Sequence, residues 1–112
     1  MTQTAEIVTF SLAPNVSAEE FTALSQGTES FVRALPGFVH RQLSQGADGK
    51  WTDYVIWADA AAAKAAAEAF MQADCAAPLM AAIEPGSVTM RHEAVLWRME
   101  GRRGRVRRNG AP

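Results

Sequence analysis

The sequence is short of the residues that usually reveal a compartment or a membrane role. It has one cysteine in 112 residues and no apolar run long enough to cross a membrane. Because Cys75 has no second cysteine to pair with, no internal disulfide can form, and a lone thiol suits a reducing compartment. The N-terminus also lacks the basic and apolar stretches of a secretory signal. These absences predict a cytoplasmic protein without a membrane span.

Motifs that indicate a reaction are also missing. No set of His, Cys and Asp residues has the spacing of metal ligands, and no glycine-rich phosphate-binding motif occurs. Cys75 has no histidine or basic residue beside it in sequence that would favour the thiolate, which predicts an inert thiol. We therefore expect no metal and no cofactor.

Charge is divided unevenly along the chain, although the net charge is only −1. Residues 1–97 carry five basic and eleven acidic side chains, whereas residues 98–112 carry six arginines and one glutamate. We predict a folded domain over 1–97 and a disordered basic tail over 98–112. Clustered arginines attract phosphate, but "GRRGRVRR" lacks interleaved aromatics and the domain is acidic. A solvated tail is therefore favoured over nucleic-acid binding.

The rest of the chain has the composition and patterning of one globular domain. Four strands are predicted, over residues 5–12, 38–45, 51–57 and 87–97. A first helix is predicted from a capping box of Ser17 and Glu20 to about Ala34, and a second from Asp59 to Asp74, followed by a shorter helical piece. The order strand, helix, strand, strand, helix, strand is that of the ferredoxin-like α+β fold. In that fold a four-stranded antiparallel sheet carries its helices on one face.

The third strand, "WTDYVIW", carries bulky apolar side chains on both of its faces. Alternation puts Trp51, Val55 and Trp57 on one side and Tyr54 and Ile56 on the other. The two helical regions cover one face of the sheet, and no segment remains for the second, whose area is roughly 400 Å². Pairing two such faces would bury enough apolar area to outweigh the cost of association, so we predict a homodimer. The charged strand residues could rim that interface, pair across it or make the face more hydrated; they are Asp53, Arg41, Arg91 and Glu93.

The second helix consists mainly of alanine, which buries little area but lets the helix backbone approach the sheet closely. Phe70 and Met71 are its only large apolar side chains. The space between helices and sheet must then be filled by sheet aromatics such as Trp57 or Tyr54, or remain partly open as a pocket. Filling is the commoner outcome, because protein interiors tolerate few voids.

The element order and three motifs, "LPGFV", "VIW" and "IEPGSVTMRHEAVLW", resemble the antibiotic biosynthesis monooxygenase-like family over about residues 5–97. The resemblance implies a dimeric α+β barrel, with two sheets face to face and a ligand between the helices and the sheet of each subunit. Some members of the family are cofactor-independent oxygenases of aromatic polyketides or quinols, and others degrade haem. The haem-degrading branch uses an asparagine on the first strand, with a tryptophan and a histidine on the second helical region. All three are missing here, which argues against haem degradation.

Four candidate site residues are aromatic or imidazole side chains. His40 and His92 are candidate catalytic residues, because an imidazole can act as a base near neutral pH. Tyr54 is a third, since its phenol can donate a hydrogen bond to a quinone oxygen, and Trp57 could stack on an aromatic substrate. The alternatives are surface or interface positions for the histidines and core packing for the two aromatics.

The remaining candidates are Phe70, as an apolar contact for a substrate, and two arginines. Arg91 and Arg41 could stabilise a phenolate or a developing oxyanion. Exposed or interface pairing of these arginines with Asp53 or Glu93 is the alternative, and it is favoured.

Three functions remain open from the sequence. The first is a small oxygenase that binds an aromatic phenol or quinol and uses the substrate's own electrons to activate O₂. The second is a non-catalytic homodimeric module that binds a small apolar ligand or has a purely structural role, and the third is nucleic-acid binding through the tail. A cavity between helices and sheet, lined by His40, Tyr54, Trp57 or His92, would favour the first, and a packed interior would remove it.

Overall fold

A computed structural model describes residues 2–101 of the chain. The strands are β1 (Thr4–Phe10), β2 (Phe38–Gln45), β3 (Trp51–Trp57) and β4 (Thr89–Ala94). The helices are α1 (Ala18–Gln26), α2 (Glu29–Arg33), α3 (Ala60–Met71) and α4 (Ala76–Ala81). The strands form one antiparallel sheet in the order β2-β3-β1-β4, which confirms the predicted ferredoxin-like α+β fold.

Two further predictions concern the basic tail and a membrane span. Most of the predicted tail, residues 102–112, lies outside the described residues. Among residues 2–101, no helix has the length and apolar character needed to cross a membrane.

Side-chain caps explain where α1 and α3 begin. Ser17 Oγ accepts a hydrogen bond from the backbone N–H of Glu20 at 3.0 Å, and the Glu20 carboxylate accepts one from the Ser17 N–H at 2.8 Å. This is the predicted capping box, which satisfies two N–H groups that the helix itself leaves free. Asp59 Oδ1 likewise accepts the N–H of Ala62 at 2.8 Å at the start of α3.

The first helical region is interrupted after Gln26, so the prediction of one continuous helix to Ala34 is wrong. Thr28 is fully buried at the break. Its hydroxyl donates to the Ser25 carbonyl at 2.7 Å and accepts a hydrogen bond from Arg41 Nη1 at 2.8 Å. A threonine hydroxyl bonded to the local backbone competes with the helical pattern, and here it also ties the break to β2.

Register separates the sheet into two faces, since residues directly opposed in antiparallel strands point to the same side. The helix face carries Glu6, Val8, Phe10, Arg41, Leu43, Trp51, Asp53, Val55, Trp57, Met90 and His92. The open face carries Ala5, Ile7, Thr9, His40, Gln42, Tyr54, Ile56, Arg91 and Glu93. The predicted division of "WTDYVIW" between two faces is confirmed.

Aromatic side chains fill one end of the space between helices and sheet. The Phe21 ring of α1 lies 5.3 Å, centroid to centroid, from both Phe10 and Trp51. Toward the other end, Ala63 and Ala66 of α3 are buried against the sheet in a cluster that contains Val55 and Trp57.

Gly37 shows how closely α3 approaches the start of β2. A Cβ at this position would lie 2.6 Å from the Cβ of Ala62, and the φ angle is +85°. Both facts favour glycine, which lacks a Cβ and adopts a positive φ readily. The Gly37 carbonyl also accepts the N–H of Ala58 at 2.7 Å, next to the start of α3.

The open face is apolar only at its centre. Ala5, Ile7 and Ile56 form a small cluster that neighbouring side chains already bury within one chain. Beside this cluster, Arg91 Nε bonds Glu93 Oε2 at 2.9 Å. The face is therefore more polar than β3 alone would indicate.

The most exposed large apolar side chains lie in the segment that follows β4, residues 95–101. Val95 donates its N–H to the Gln3 carbonyl at 2.9 Å, so the pairing of β4 with β1 continues for one more residue. Beyond it, Leu96, Trp97 and Met99 are 78–91% exposed. We call residues 95–101 the C-terminal segment.

Candidate functional site

A cavity of about 230 Å³ lies between the helix face of the sheet and the helices. We call it the helix–sheet cavity. Its apolar lining includes Val8, Phe10, Phe21, Val55, Phe70 and Leu79. The expectation that sheet aromatics fill this space is wrong, and the alternative of a partly open pocket is correct.

The composition of α3 explains why space remains. Ala66 and Ala67 line the cavity, and a methyl group reaches only a short way toward the sheet. Phe70 is the one large α3 side chain that lines the interior, because Met71 is 61% exposed. Met71 also borders the cavity, together with Met80 and Met90, which are likewise exposed. The cavity therefore opens to solvent beside methionine side chains.

One row of side chains across the sheet gives the cavity a polar side. The register aligns Arg41 of β2, Val55 of β3, Glu6 of β1 and His92 of β4. Asp53 lies two residues before Val55 on the same face. Two carboxylates and one guanidinium thus line an otherwise apolar cavity, and together they carry a net charge of −1.

Arg41 and Asp53 form a two-point ion pair. Arg41 Nε donates to Asp53 Oδ1 at 3.0 Å and Nη2 donates to Oδ2 at 2.8 Å, while Nη1 bonds the buried hydroxyl of Thr28. The two side chains are only 17% and 18% exposed. Burial lowers the pKa of Arg41, but the hydrogen bond to Asp53 and the negative charges of Asp53 and Glu6 outweigh it, so the pKa is raised above its ordinary value. The guanidinium is therefore charged and held by Asp53, the partner that the alternative use of Arg41 named, but the pair is largely buried and not exposed.

Glu6 is held by a tryptophan. Trp57 Nε1 donates to Glu6 Oε1 at 2.9 Å. The other carboxylate oxygen, Oε2, lies 3.9 Å from Nε2 of His92, whose side chain is 45% exposed at the edge of the sheet. Glu6 itself is 9% exposed. The carboxylate is thus fixed through one oxygen, and the other oxygen faces His92.

Four of the predicted site residues lie at or near the helix–sheet cavity. Arg41, Trp57 and Phe70 line it. His92 lies on the helix face, close to the cavity carboxylate Glu6. The structure therefore brings Trp57 and His92 together through Glu6, which contacts both.

The other three, His40, Tyr54 and Arg91, lie on the open face. Alternation along each strand points their side chains away from the helices, with the sheet backbone between them and the cavity. His40 Nε2 hydrogen-bonds Gln42 Oε1 at 2.9 Å, and Arg91 pairs with Glu93. The structure does not bring these residues to the helix–sheet cavity of their own chain.

Glu6 and Asp53 were not among the candidate site residues predicted from the sequence, although a signal for a buried position was present for both. Glu6 shares the alternation of Val8 and Phe10, and Asp53 shares that of Trp51 and Val55. A carboxylate at a core-facing strand position is rarely buried unless it has a partner. That pattern alone marks both residues as members of a buried polar network.

A metal site is not formed by the described part of the chain. Within residues 2–101, no three His, Cys, Asp or Glu side chains gather closely enough to hold an ion. Cys75 is a half-buried free thiol.

Several solved structures share this fold at low sequence identity. SnoaB of Streptomyces nogalater, a cofactor-independent oxygenase, superposes with a TM-score of 0.62 at 21% identity and covers 89% of this chain and 97% of its own. The monooxygenase ActVA-Orf6 of Streptomyces coelicolor, solved with nanaomycin D, gives 0.70 at 17% identity, with 90% and 94% covered. A proposed antibiotic biosynthesis monooxygenase of Bordetella bronchiseptica gives 0.73 at 15% identity, with 87% and 100% covered.

No protein-family model and no curated protein sequence matches the chain. The predicted structural resemblance to antibiotic biosynthesis monooxygenases is confirmed by these neighbours. At such identities the likeness concerns the fold.

Proposed function

We propose that this chain is a cofactor-independent oxygenase that binds a small aromatic phenol or quinol in the helix–sheet cavity. The observation that carries the proposal is the cavity itself, which is apolar, lies inside one chain and contains a buried carboxylate. Ligand sites in proteins have this character, with apolar walls and a few placed polar groups. The shared fold with SnoaB, an oxygenase that needs no cofactor, supports the reaction class.

The volume of the cavity indicates the size of its ligand. An apolar cavity of about 150 Å³ holds benzene, and pockets for drug-sized ligands begin near 300 Å³. At about 230 Å³, the helix–sheet cavity suits one or two fused rings. Val55, Trp57 and Phe70 would contact the ring and exclude water from it.

A panel of hydroquinones and anthrones tests the proposal by oxygen consumption and by calorimetric titration. Ala67→Leu places three more carbon atoms in the cavity and is expected to abolish binding and turnover. Tyr54→Phe and His40→Ala, on the open face, are the matched controls and should retain both. A wild-type protein that neither binds nor consumes oxygen above buffer would refute the proposal. Binding without turnover would leave the alternative of a non-catalytic ligand-binding module.

Loss of turnover in Tyr54→Phe, with Ala67→Leu unaffected, would move the chemistry to the open face. This outcome would support the roles predicted from the sequence for His40, Tyr54 and Arg91. It would also require a second copy of the chain, because no helix among residues 2–101 covers that face.

We propose further that the protein is a homodimer and works in the cytoplasm. The cluster of Ala5, Ile7 and Ile56 faces away from the helices, and the C-terminal segment exposes Leu96 and Trp97. A second copy supplies apolar surface for the exposed side chains of the C-terminal segment, and the single thiol suits a reducing compartment. Sedimentation at micromolar concentration should show about twice the 12.1 kDa chain mass. A lone monomer would refute the dimer.

A further inference from the structure

Glu6 presents an unusual oxygen to the helix–sheet cavity. Glu6 lines the cavity, and the residue is only 9% exposed. Oε1 is bonded to Trp57, whereas Oε2 has no hydrogen bond from any residue between 2 and 101, and His92 Nε2 lies 3.9 Å from it. Oε2 keeps some exposure, because Ser25 Oγ is the one side-chain nitrogen or oxygen among residues 2–101 that is buried without a partner. A carboxylate oxygen at the wall of an apolar cavity that has no donor from the protein can accept a hydrogen bond from a ligand.

We propose that Glu6 Oε2 recognises the ligand by accepting a hydrogen bond from its neutral hydroxyl group, and that the same oxygen takes the hydroxyl proton when the ring is oxidised. This inference rests on the proposed function, because it specifies how the helix–sheet cavity holds a phenol.

Charge in the cavity favours a neutral donor over an anion. The guanidinium of Arg41 is already paired through two hydrogen bonds with Asp53, so its charge is largely neutralised. Glu6 then leaves one net negative charge on the cavity lining, and the helix residues that line it are apolar. A phenolate or a carboxylate placed beside Glu6 would be repelled, whereas a phenol hydroxyl would gain a hydrogen bond to a charged acceptor.

The neighbouring imidazole offers an exit for the proton. When the O–H bond of the ligand breaks, the proton moves to Glu6 Oε2 and the carboxylate becomes a neutral acid. His92 Nε2 is 3.9 Å away, beyond hydrogen-bond reach, and its side chain reaches solvent, so the proton can pass to it through one intervening water and then be released. This step moves one proton and no electrons. The electron pair of the ring goes to O₂ in the proposed oxygenation.

The absorbance of 4-nitrophenol tests the proposal without requiring turnover, because its phenolate has a visible band that the neutral form lacks. In a pH titration with excess wild-type protein, the bound probe should stay neutral to about one pH unit above the free probe, a preference of about tenfold. Glu6→Gln should remove that shift, because the amide carries no charge and can turn an N–H toward the probe. Glu93→Gln makes the same change of charge on the open face and should keep the shift.

A control must show that no other charged group near Glu6 causes the shift in the titration of bound 4-nitrophenol. The groups that face it are His92 on β4, Arg41 on β2 and Asp53 on β3. The titration is therefore repeated with His92→Gln, which should keep the shift if Glu6 is its source. A shift that disappears in His92→Gln but persists in Glu6→Gln would overturn the assignment to Glu6.

A second comparison varies the ligand and needs no variant to fold. Wild-type protein at pH 6 should bind neutral 4-nitrophenol at least about tenfold more tightly than 4-nitrobenzoate, which has the same ring and a negative charge. Equal affinities would refute recognition by Glu6. No binding of 4-nitrophenol at all would instead count against the proposed function, so the two failures are distinguishable.

Discussion

Removing Arg41 should destabilise the protein severely, because the change leaves a buried carboxylate without its cation. In Arg41→Met, Asp53 loses both hydrogen bonds of the ion pair and remains on the same face as Glu6, and the Thr28 hydroxyl loses a donor. Breaking a buried pair by removing one partner costs about 3–5 kcal/mol. Domains of this size are stable by about 5–15 kcal/mol, so the variant should lose much of its free energy of unfolding.

Urea unfolding, followed by tryptophan fluorescence, measures the loss. Arg41→Met/Asp53→Leu is the informative companion, because it removes both charges and should recover at least about 2 kcal/mol relative to the single variant. Arg91→Met is the matched control on the open face, where the Arg91–Glu93 pair is more than half exposed. There the loss should be at most about 1 kcal/mol, because solvent screens the pair. Equal losses in Arg41→Met and Arg91→Met would refute this account.

The raised pKa of Arg41 adds a pH dependence to the same experiment. A cation whose pKa is higher in the folded state than in the unfolded state contributes stability that is fully present below the unfolded pKa and lost as pH rises through the folded pKa. For an arginine both values lie far above neutral pH, so the arginine itself causes no change between neutral pH and about pH 10. Between neutral pH and about pH 10, the contribution of Arg41 to the difference in free energy of unfolding between wild type and Arg41→Met should stay constant.

Three further predictions concern single contacts. Trp57→Phe keeps an aromatic ring but removes the donor to the buried Glu6 carboxylate. The free energy of unfolding in urea should fall by about 1–3 kcal/mol, and 4-nitrophenol should bind more weakly. Unchanged values would contradict the contact. Trp97→Ala should raise the dimer dissociation constant by about tenfold or more in sedimentation experiments, and an unchanged constant would remove the C-terminal segment from the interface. Gly37→Ala and Gly49→Ala impose a similar strain of about 1–2 kcal/mol at φ near +85°. Only Gly37→Ala adds a clash with Ala62, so it should unfold at lower urea, and equal midpoints would contradict that close approach.

Most of the fold could be predicted because its signals are local. The caps at Ser17 and Asp59 act within three residues, and the two faces of β3 follow from alternation alone. The interruption between α1 and α2 could not be predicted in the same way. It depends on Thr28, whose hydroxyl is held by Arg41, a residue thirteen positions away on another element.

The candidate site was predicted less well, because its geometry depends on register. Strand alternation could have placed Glu6 and Asp53 on the helix face, but the partner of Glu6 is Trp57, fifty-one positions along the chain. His40 and Tyr54 have suitable chemistry for catalysis, yet they point to the open face. Residue type suggested these candidates, and the direction of each side chain decided which of them reach the helix–sheet cavity.

The alanine-rich face of α3 makes the capacity of the interior easy to change. Ala67 is half-buried and borders the empty space, so replacing it by valine, leucine or phenylalanine would shrink the cavity in graded steps. A related chain could thus come to accept a smaller molecule, or none, through one substitution on a surface distant from Glu6 in sequence. The size of the ligand, set by α3, and the recognition of its hydroxyl group, proposed for Glu6, can therefore change independently in this fold.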